Sequence, residues 1–331
     1  MDQADTTGSS KNGGLISSDF KFTNGNEKVV AAAGTLNNGD VLADGSTTDN
    51  DVLDATLTGG AVLTSSITNI ETINLDVKVA GSGLSLASVS GVDTINVNTN
   101  VGIAAALNAV NATNAPLIGL SGSGVLTATA VTLAGKNDSL SVQLNGTTGN
   151  AGFTVAATTA GALETLNLES AGDTANTVAI AAGVGLTGLT KTIVTGEADL
   201  NARVAHLAVT GQTIDASEHE GELNLVVDRN GAITATTNLT NVSGVDTYTF
   251  RDSVAGGDQL VVSGLVDGAN VVVESDFNGA NSLAIKGAAA NTANTLNITL
   301  DHATAATNVA IGTGLTIADV ETINFISEGG T

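Results

Sequence analysis

The sequence contains no cysteine and no tryptophan, and it has one proline and one methionine in 331 residues. Without cysteine the chain has no disulfide framework, no thiolate metal site and no cysteine nucleophile. Basic residues are also scarce, because 10 Lys and Arg stand against 33 Asp and Glu, for a formal net charge of -23. Nucleic acids and anionic membrane surfaces are bound through clustered lysine and arginine, so both are excluded as partners.

Aromatic side chains are nearly missing: the chain has six Phe and one Tyr against 40 Gly. Acidic chains with few aromatics are often disordered, but here 42% of the residues are hydrophobic and only 13% are charged. The chain therefore has enough apolar surface to fold. A thick core is usually filled with large rings, whereas small aliphatic residues suit a thin core repeated along an axis. The composition predicts an elongated protein.

One phrase of alternating apolar and polar residues recurs along the chain. Each clear copy has an acid directly before a threonine, and these threonines are Thr72, Thr94, Thr165, Thr247 and Thr322. A degenerate copy contains Thr192. The alternation is typical of a strand with one buried face. Thr72 and Thr94 are 22 residues apart. A coil of this length predicts about fifteen coils in the chain.

A second phrase places an acid two residues before a leucine, after a turn rich in Gly and Asn. It occurs at Asp40-Val-Leu42, Asp51-Val-Leu53, Asp138-Ser-Leu140 and Asp258-Gln-Leu260, with softer copies that end at Leu283 and Leu296. Gly and Asn tolerate the positive φ of tight turns, and the leucine is expected to point inward. Together the two phrases predict an all-β, elongated, right-handed parallel β-solenoid, that is, an irregular β-helix.

Three segments stand apart from this pattern. Residues 102–115 are predicted to form one short helix before Pro116, and Gly119 to Gly124 is interpreted as a Gly/Ser turn. Residues 197–222 are predicted to be an insertion or the seam between two solenoid sections. The predicted organisation is an N-terminal segment at 1–35, a solenoid section at 36–196 and a second section at 197–331, continuous with the first.

These phrases resemble the calcium-dependent surface-layer (S-layer) proteins of Gram-negative bacteria and the related RTX-type β-solenoid proteins. The likeness is carried by the turn and strand passages from Asn37 to Leu57 and by the phrase Ile67 to Leu75 that follows. An RTX turn has paired glycines as well as an Asp, and here only Gly256-Gly257-Asp258 keeps the pair. Uninterrupted calcium arrays are therefore absent, and the resemblance implies Ca²⁺ at individual turns.

The acidic turns give an independent reason to predict Ca²⁺ as the cofactor. This ion takes six to eight oxygen ligands, and the chain has 22 Asp against 11 Glu. The candidate ligands are Asp40, Asp44, Asp49, Asp51, Asp54, Asp138, Asp252, Asp258, Asp267 and Asp276. The alternative is that these residues are solvated turn formers. For the acids of the Thr phrase, such as Glu71, we favour a role in accepting backbone N–H groups before each strand.

Catalytic motifs are missing from the sequence, so we expect a protein that is not an enzyme. His206, His219 and His302 are the only histidines and have no metal-ligand spacing. The run from Ser217 to Glu220 is interpreted as a solvated charged loop. The best enzyme alternative is a polysaccharide lyase on a β-helix, which would need a basic residue beside its carboxylates. The chain has three arginines in all.

The predicted function is structural: a secreted, extracellular protein that forms a calcium-dependent two-dimensional lattice with copies of itself on the cell surface. A cell-surface polysaccharide is a further candidate partner. The alternative is a surface adhesin with a solenoid stalk. No apolar stretch reaches the roughly 18 residues of a membrane span, and no cleavable signal is visible. We expect no membrane insertion, export by another route, and a module that continues in a longer protein.

Overall fold

The chain winds into a β-solenoid of about ten coils whose strands stack in parallel. The computed structural model describes residues 2–3, 22–133, 135, 137–157, 163–181, 186, 188–204, 213–229, 237–239, 241–252, 259–274, 282–288, 294–301 and 314–327. Within these residues there are thirty strands, and Leu86–Ser88 form a single-turn 3-10 segment. The predicted parallel β-solenoid is confirmed.

The first half of the described chain contains fifteen strands: β1 (Asp2–Gln3), β2 (Lys28–Ala31), β3 (Val41–Ala43), β4 (Val52–Leu57), β5 (Val62–Leu63), β6 (Ser66–Thr68), β7 (Thr72–Val77), β8 (Gly83–Ser85), β9 (Val89–Ser90), β10 (Thr94–Thr99), β11 (Ala104–Asn111), β12 (Leu117–Gly122), β13 (Val125–Thr132), β14 (Ser139–Thr147) and β15 (Gly152–Ala157).

The second half contains fifteen more: β16 (Thr165–Ala171), β17 (Asn176–Ile180), β18 (Lys191–Gly196), β19 (Leu200–Val204), β20 (Thr213–His219), β21 (Leu223–Arg229), β22 (Thr237–Leu239), β23 (Asn241–Ser243), β24 (Thr247–Asp252), β25 (Gln259–Leu265), β26 (Ala269–Val273), β27 (Ser282–Gly287), β28 (Thr295–Leu300), β29 (Leu315–Ala318) and β30 (Thr322–Ser327).

Four sheets run along the solenoid. The eleven-stranded sheet has the order β1-β2-β4-β7-β10-β12-β14-β16-β18-β20-β23, and the twelve-stranded sheet has the order β30-β28-β26-β24-β21-β19-β17-β15-β13-β11-β8-β5. Two short sheets, β22-β25-β27-β29 and β3-β6-β9, complete the described coils. The eleven-stranded sheet includes β2, which lies within the segment predicted as N-terminal.

The core is a set of aliphatic ladders produced by in-register stacking. Leu53 pairs with Ile73, Ile73 with Ile95, and Ile95 with Ile118 on four consecutive strands, and all four are fully buried. Each strand contributes one small apolar residue to each rung, so the interior is thin. Some of the few aromatics also lie within it: Phe153 and Phe250 are fully buried, and Phe250 stacks on Tyr248 at 6.4 Å.

The predicted strand and turn signals are confirmed where the structure describes them. A strand begins at each phrase threonine, namely Thr72, Thr94, Thr165, Thr247 and Thr322, and Thr192 is the second residue of β18. The leucines of the second phrase that are described, Leu42, Leu53, Leu140, Leu283 and Leu296, are buried. The side chains of Asp258 and Leu260 lie outside the described residues.

Four local predictions are wrong. The solenoid has about ten coils rather than fifteen, because longer turns lengthen many coils beyond 22 residues. Residues 104–111 form strand β11 instead of a helix, with Ala109 at φ 59 where the pairing shifts. Strand β12 extends through Gly122, where a turn was predicted.

The fourth concerns residues 197–222, which are neither an insertion nor a seam where the structure describes them. Strand β19 pairs with β17 and β21, and β20 pairs with β18 and β23. The run from Ser217 to His219 therefore lies in a strand and not in a charged loop. The sheet arrangement changes after β21. Strand β22 is the first strand of a short sheet, and β23 is the last strand of the eleven-stranded sheet.

The acids of the Thr phrase join successive coils through hydrogen bonds to backbone N–H groups. The donors and acceptors are Asp51 N to Glu71 Oε2 at 2.7 Å, Asp138 N to Glu164 Oε2 at 2.9 Å, Leu223 N to Asp246 Oδ2 at 2.7 Å, and Asn294 N to Glu321 Oε2 at 2.7 Å. The favoured interpretation of these acids is confirmed, and the donor belongs to the preceding coil. Asp93, which is exposed, is the one acid of the clear copies that is not among these acceptors.

Helices contribute little to this architecture. The part of the chain that the structure describes contains no helix with the length and apolar character needed to cross a bilayer.

Close stacking of the coils leaves no space for a side chain at Gly83. A Cβ atom added there would lie 1.8 Å from the backbone oxygen of Ala106, its neighbour in the next coil. We expect Gly83→Ala to lower the free energy of unfolding by about 1–3 kcal/mol, because the coils must move apart. Gly59→Ala is the matched control, since nothing lies within 4 Å of its added Cβ. Equal urea midpoints for the two variants would contradict this tight stacking.

Candidate metal centre

Three carboxylates from two coils meet at one end of the eleven-stranded sheet. Glu27 lies just before β2, and Asp44 and Asp49 lie in the turn that joins β3 to β4. One oxygen of each lies within 4.8 Å of the others. Each Ca²⁺–oxygen bond is about 2.3–2.6 Å long, so two oxygens that bind one ion from opposite sides lie about 5 Å apart. The three carboxylates are therefore close enough to share an ion. We call Glu27, Asp44 and Asp49 the acidic centre.

Asp49 is the least satisfied member of the acidic centre. Its side chain is 9% exposed, and both carboxylate oxygens are buried without a hydrogen-bond partner. Burial of an ionised carboxylate without a partner is very unfavourable. Both oxygens are therefore available to a cation, which would remove this penalty.

The other members keep part of their coordination capacity. Asp44 Oδ2 accepts a hydrogen bond from Ser46 N at 2.6 Å. Glu27 accepts hydrogen bonds from the backbone and the hydroxyl of Thr23. A carboxylate oxygen has two acceptor positions, so both residues can still bind a metal. The donor set contains oxygen alone, which suits a hard cation such as Ca²⁺.

Asp51 lies next to the acidic centre and supports it. It is 1% exposed, its Oδ1 accepts a hydrogen bond from Glu27 N at 2.7 Å, and its Oδ2 has no partner. Burial raises the pKa of Asp51 to about 6, the hydrogen bond from the Glu27 backbone opposes the rise, and the carboxylates of the acidic centre add to it. A cation beside these groups would offset the repulsion.

The first predicted cluster is thus partly assembled. Asp44, Asp49 and Asp51 come together, but Asp40 and Asp54 do not join them. Asp40 Oδ2 accepts a hydrogen bond from Asn37 N at 2.7 Å, within its own turn. Asp54 pairs with Lys28 at 2.6 Å on the outer face of the sheet, where that lysine and a neighbouring amide lower the pKa of Asp54.

The remaining candidates are not assembled in the described residues. Asp138 is buried, and its Oδ2 accepts a hydrogen bond from Gly135 N at 3.1 Å. Asp267 Oδ1 accepts Thr295 N at 2.7 Å across coils. The side chain of Asp252 and all of Asp258 and Asp276 lie outside the described residues, so these predictions remain open. The acidic centre is the one group of metal-ligand geometry among the residues that the structure describes.

Glu27 was missed because the acids were grouped by distance along the sequence. It donates its backbone N–H to Asp51, 24 residues further on, which is about one coil. A search for acids one coil apart would have aligned Asn26-Glu27-Lys28 with Asn50-Asp51-Val52. The coil period was the signal that could have found it.

A second set of carboxylates differs from the acidic centre in being open to solvent. Glu169, Asp173, Glu197, Glu218 and Glu220 line a groove of about 380 Å³. Four of the five are exposed and Glu169 is half-buried, with a hydrogen bond from Gln143 Nε2 at 3.0 Å. Water can solvate these charges, so they do not require a cation.

No protein-family model, curated protein or solved structure matches this chain.

The pKa of Asp51 predicts how the metal-free protein responds to pH. The folded state holds a proton that the unfolded chain releases, so the free energy of unfolding should fall as pH rises from about 4 to about 6. The loss attributable to Asp51 is on the order of 3 kcal/mol. Urea unfolding in chelator should show that Asp51→Asn lacks this component while the exposed control Asp93→Asn keeps it. Parallel pH profiles for wild type and Asp51→Asn would contradict the assignment.

Proposed function

We propose that the chain is a structural module of a secreted, calcium-dependent surface layer, in which the acidic centre binds Ca²⁺ and the solenoid assembles with copies of itself. The observation that carries this proposal is the pair of buried, unpartnered oxygens on Asp49. A cation bound there would offset the cost of keeping such a carboxylate in the interior. The role is structural and not enzymatic.

The position of the acidic centre supports a structural role for the ion. Glu27 belongs to one coil, and Asp44 and Asp49 belong to the next. The same coils are joined by a hydrogen bond from Val52 N to Glu27 O at 2.9 Å and another from Asn50 N to Asn26 Oδ1 at 3.0 Å. A cation bound by all three carboxylates would fasten these two coils together.

The charge and surface of the protein support self-association under control of cations. With a net charge of -23, two copies repel one another until cations screen or bind the carboxylates. The last described strand, β30, exposes Ile323, Phe325 and Ile326, with Phe325 54% exposed. Exposed apolar residues on such a strand favour burial, either by a further coil or by a second copy.

Calcium binding is tested by exchange of one carboxylate. In chelator, Asp49→Asn should melt at or above the wild-type temperature, because it removes an uncompensated buried charge. In Ca²⁺ the order should reverse: wild type gains about 2.7 kcal/mol at a free concentration about 100 times Kd, and Asp49→Asn gains little. Differential scanning calorimetry and calcium titration calorimetry measure both effects.

The control is Asp93→Asn, which makes the same change at an exposed carboxylate outside the acidic centre. It should keep the calcium response of the wild type. If wild type shows no calcium shift and no bound calcium, the acidic centre is not a calcium site.

Lattice formation needs a separate measurement. Light scattering and negative-stain electron microscopy of chelated protein should show sheets on addition of Ca²⁺ for wild type and Asp93→Asn, and none for Asp49→Asn at the same concentration. Ca²⁺ would act by joining coils and reducing repulsion between copies. A wild-type chain that binds Ca²⁺ yet remains monomeric would contradict the lattice and leave the metal site intact.

A further inference from the structure

An open groove crosses the outer face of the eleven-stranded sheet, away from the acidic centre. Its volume is about 600 Å³, and it extends from β2 through β4, β7 and β10 to β12. Residues of five consecutive coils contribute to it, and none of the three carboxylates of the acidic centre lines it. The groove therefore requires its own explanation.

The first row of polar groups in the groove consists of Asp54, Asn74 and Asn96. They occupy one register position on three successive strands. Asn74 Nδ2 donates to Asp54 Oδ1 at 2.7 Å, and Asn96 Nδ2 donates to Asn74 Oδ1 at 2.8 Å. These bonds fix the orientation of both amides. Each amide nitrogen has a second N–H, and each amide oxygen has a second acceptor position, so the row retains hydrogen-bonding capacity.

A second row runs parallel to the first, two residues further along each strand. Asp76, Asn98 and Ser121 share a register position. Asn98 Nδ2 donates to Asp76 Oδ1 at 3.2 Å, and Ser121 Oγ donates to Asn98 Oδ1 at 3.3 Å. Asn98 is exposed. The two rows give the groove oriented donors and acceptors along its length.

The groove is close to neutral, although the protein is strongly acidic. Its two carboxylates are both paired with lysines: Lys28 lies 2.6 Å from Asp54, and Lys78 lies 2.7 Å from Asp76. Only 10 basic residues occur in the whole chain, and two of them pair with the carboxylates of the groove. This charge balance favours an uncharged ligand in the groove. A polycation would instead bind elsewhere on the acidic surface, where carboxylates are not paired with lysines.

The shape of the groove is maintained at both ends. Gly119 continues the first row, and a Cβ atom there would lie 2.0 Å from Asn96 Oδ1. The missing side chain lets the Asn96 amide lie over β12 and leaves the end of the row open. At the other end, Val30 is 39% exposed and provides an apolar surface.

A peptide is a poor occupant for this face. The backbone groups of β4, β7 and β10 pair with strands on both sides, so a peptide cannot add as a further strand. A polyhydroxylated chain can both donate to and accept from side-chain amides. Strands lie about 4.8 Å apart, so the same pair of polar groups recurs at an interval close to the length of one sugar ring in an extended chain. We propose that this groove binds an extended, uncharged polysaccharide across successive coils.

Affinity electrophoresis in chelator tests the proposal independently of calcium. The native protein is run through gels that contain dextran, galactomannan or hydroxyethyl cellulose, with alginate as an anionic comparison. At least one neutral polymer should retard the protein. Asn98→Ala should weaken binding about fivefold, the effect of losing about one hydrogen bond. The matched control is Asn167→Ala, because Asn167 donates to Ser141 Oγ at 3.2 Å on the same sheet but outside the groove.

A second variant tests the shape of the groove. Ser121→Trp should fill it and abolish retardation, whereas Ser141→Trp, on the same sheet outside the groove, should not. Melting temperatures identify any variant that has lost its fold, and the conclusion then depends on the other pair. The proposal is overturned if no neutral polymer retards the protein, if only alginate does, if groove and control variants bind equally, or if extended peptides compete better than the polymer.

Discussion

The structure depends on parallel stacking of coils in register, because this places each side chain directly above its counterpart in the next coil. A rung of the core then holds one small apolar residue from each strand, as in the ladder from Leu53 to Ile118. Large rings stacked at every coil would force the two large sheets apart. The scarcity of aromatic residues is thus a requirement of the thin core, and Phe153, Phe250 and Tyr248 are local exceptions.

The same stacking decides what becomes of the acidic residues at the turns. A carboxylate there either accepts a backbone N–H from the neighbouring coil, as Glu71 does from Asp51, or meets another carboxylate. The first arrangement joins coils without a metal. The second occurs at the acidic centre, where both carboxylate oxygens of Asp49 are buried without a hydrogen-bond donor. Among the described residues, the carboxylates are therefore divided between hydrogen-bonded turns, solvated surface and the acidic centre, which we propose binds a cation.

The sequence predicts much of this fold because period-2 alternation and turn residues are local signals. The strands at Thr72 and Thr94 and the inward leucines could be read directly. The strand at 104–111 could not, because its Ala-rich sequence has helical propensity and only pairing with β8 and β13 decides its conformation. Glu27 was missed for a related reason, since its contact with Asp51 depends on the length of a coil. Local sequence patterns do not specify which residues of distant segments lie side by side.

The acidic centre and the groove are connected through the start of β2. Glu27 belongs to the acidic centre, and the next residue, Lys28, pairs with Asp54 in the groove. The backbone of β2 is held by pairing with β4 and by the turn bonds to Asp51. A cation that fixes Glu27 against Asp44 and Asp49 would therefore also fix the lysine that neutralises one end of the groove. Because β2 pairs with β4 in register, the acidic centre and the first residues of the groove lie on the same pair of coils.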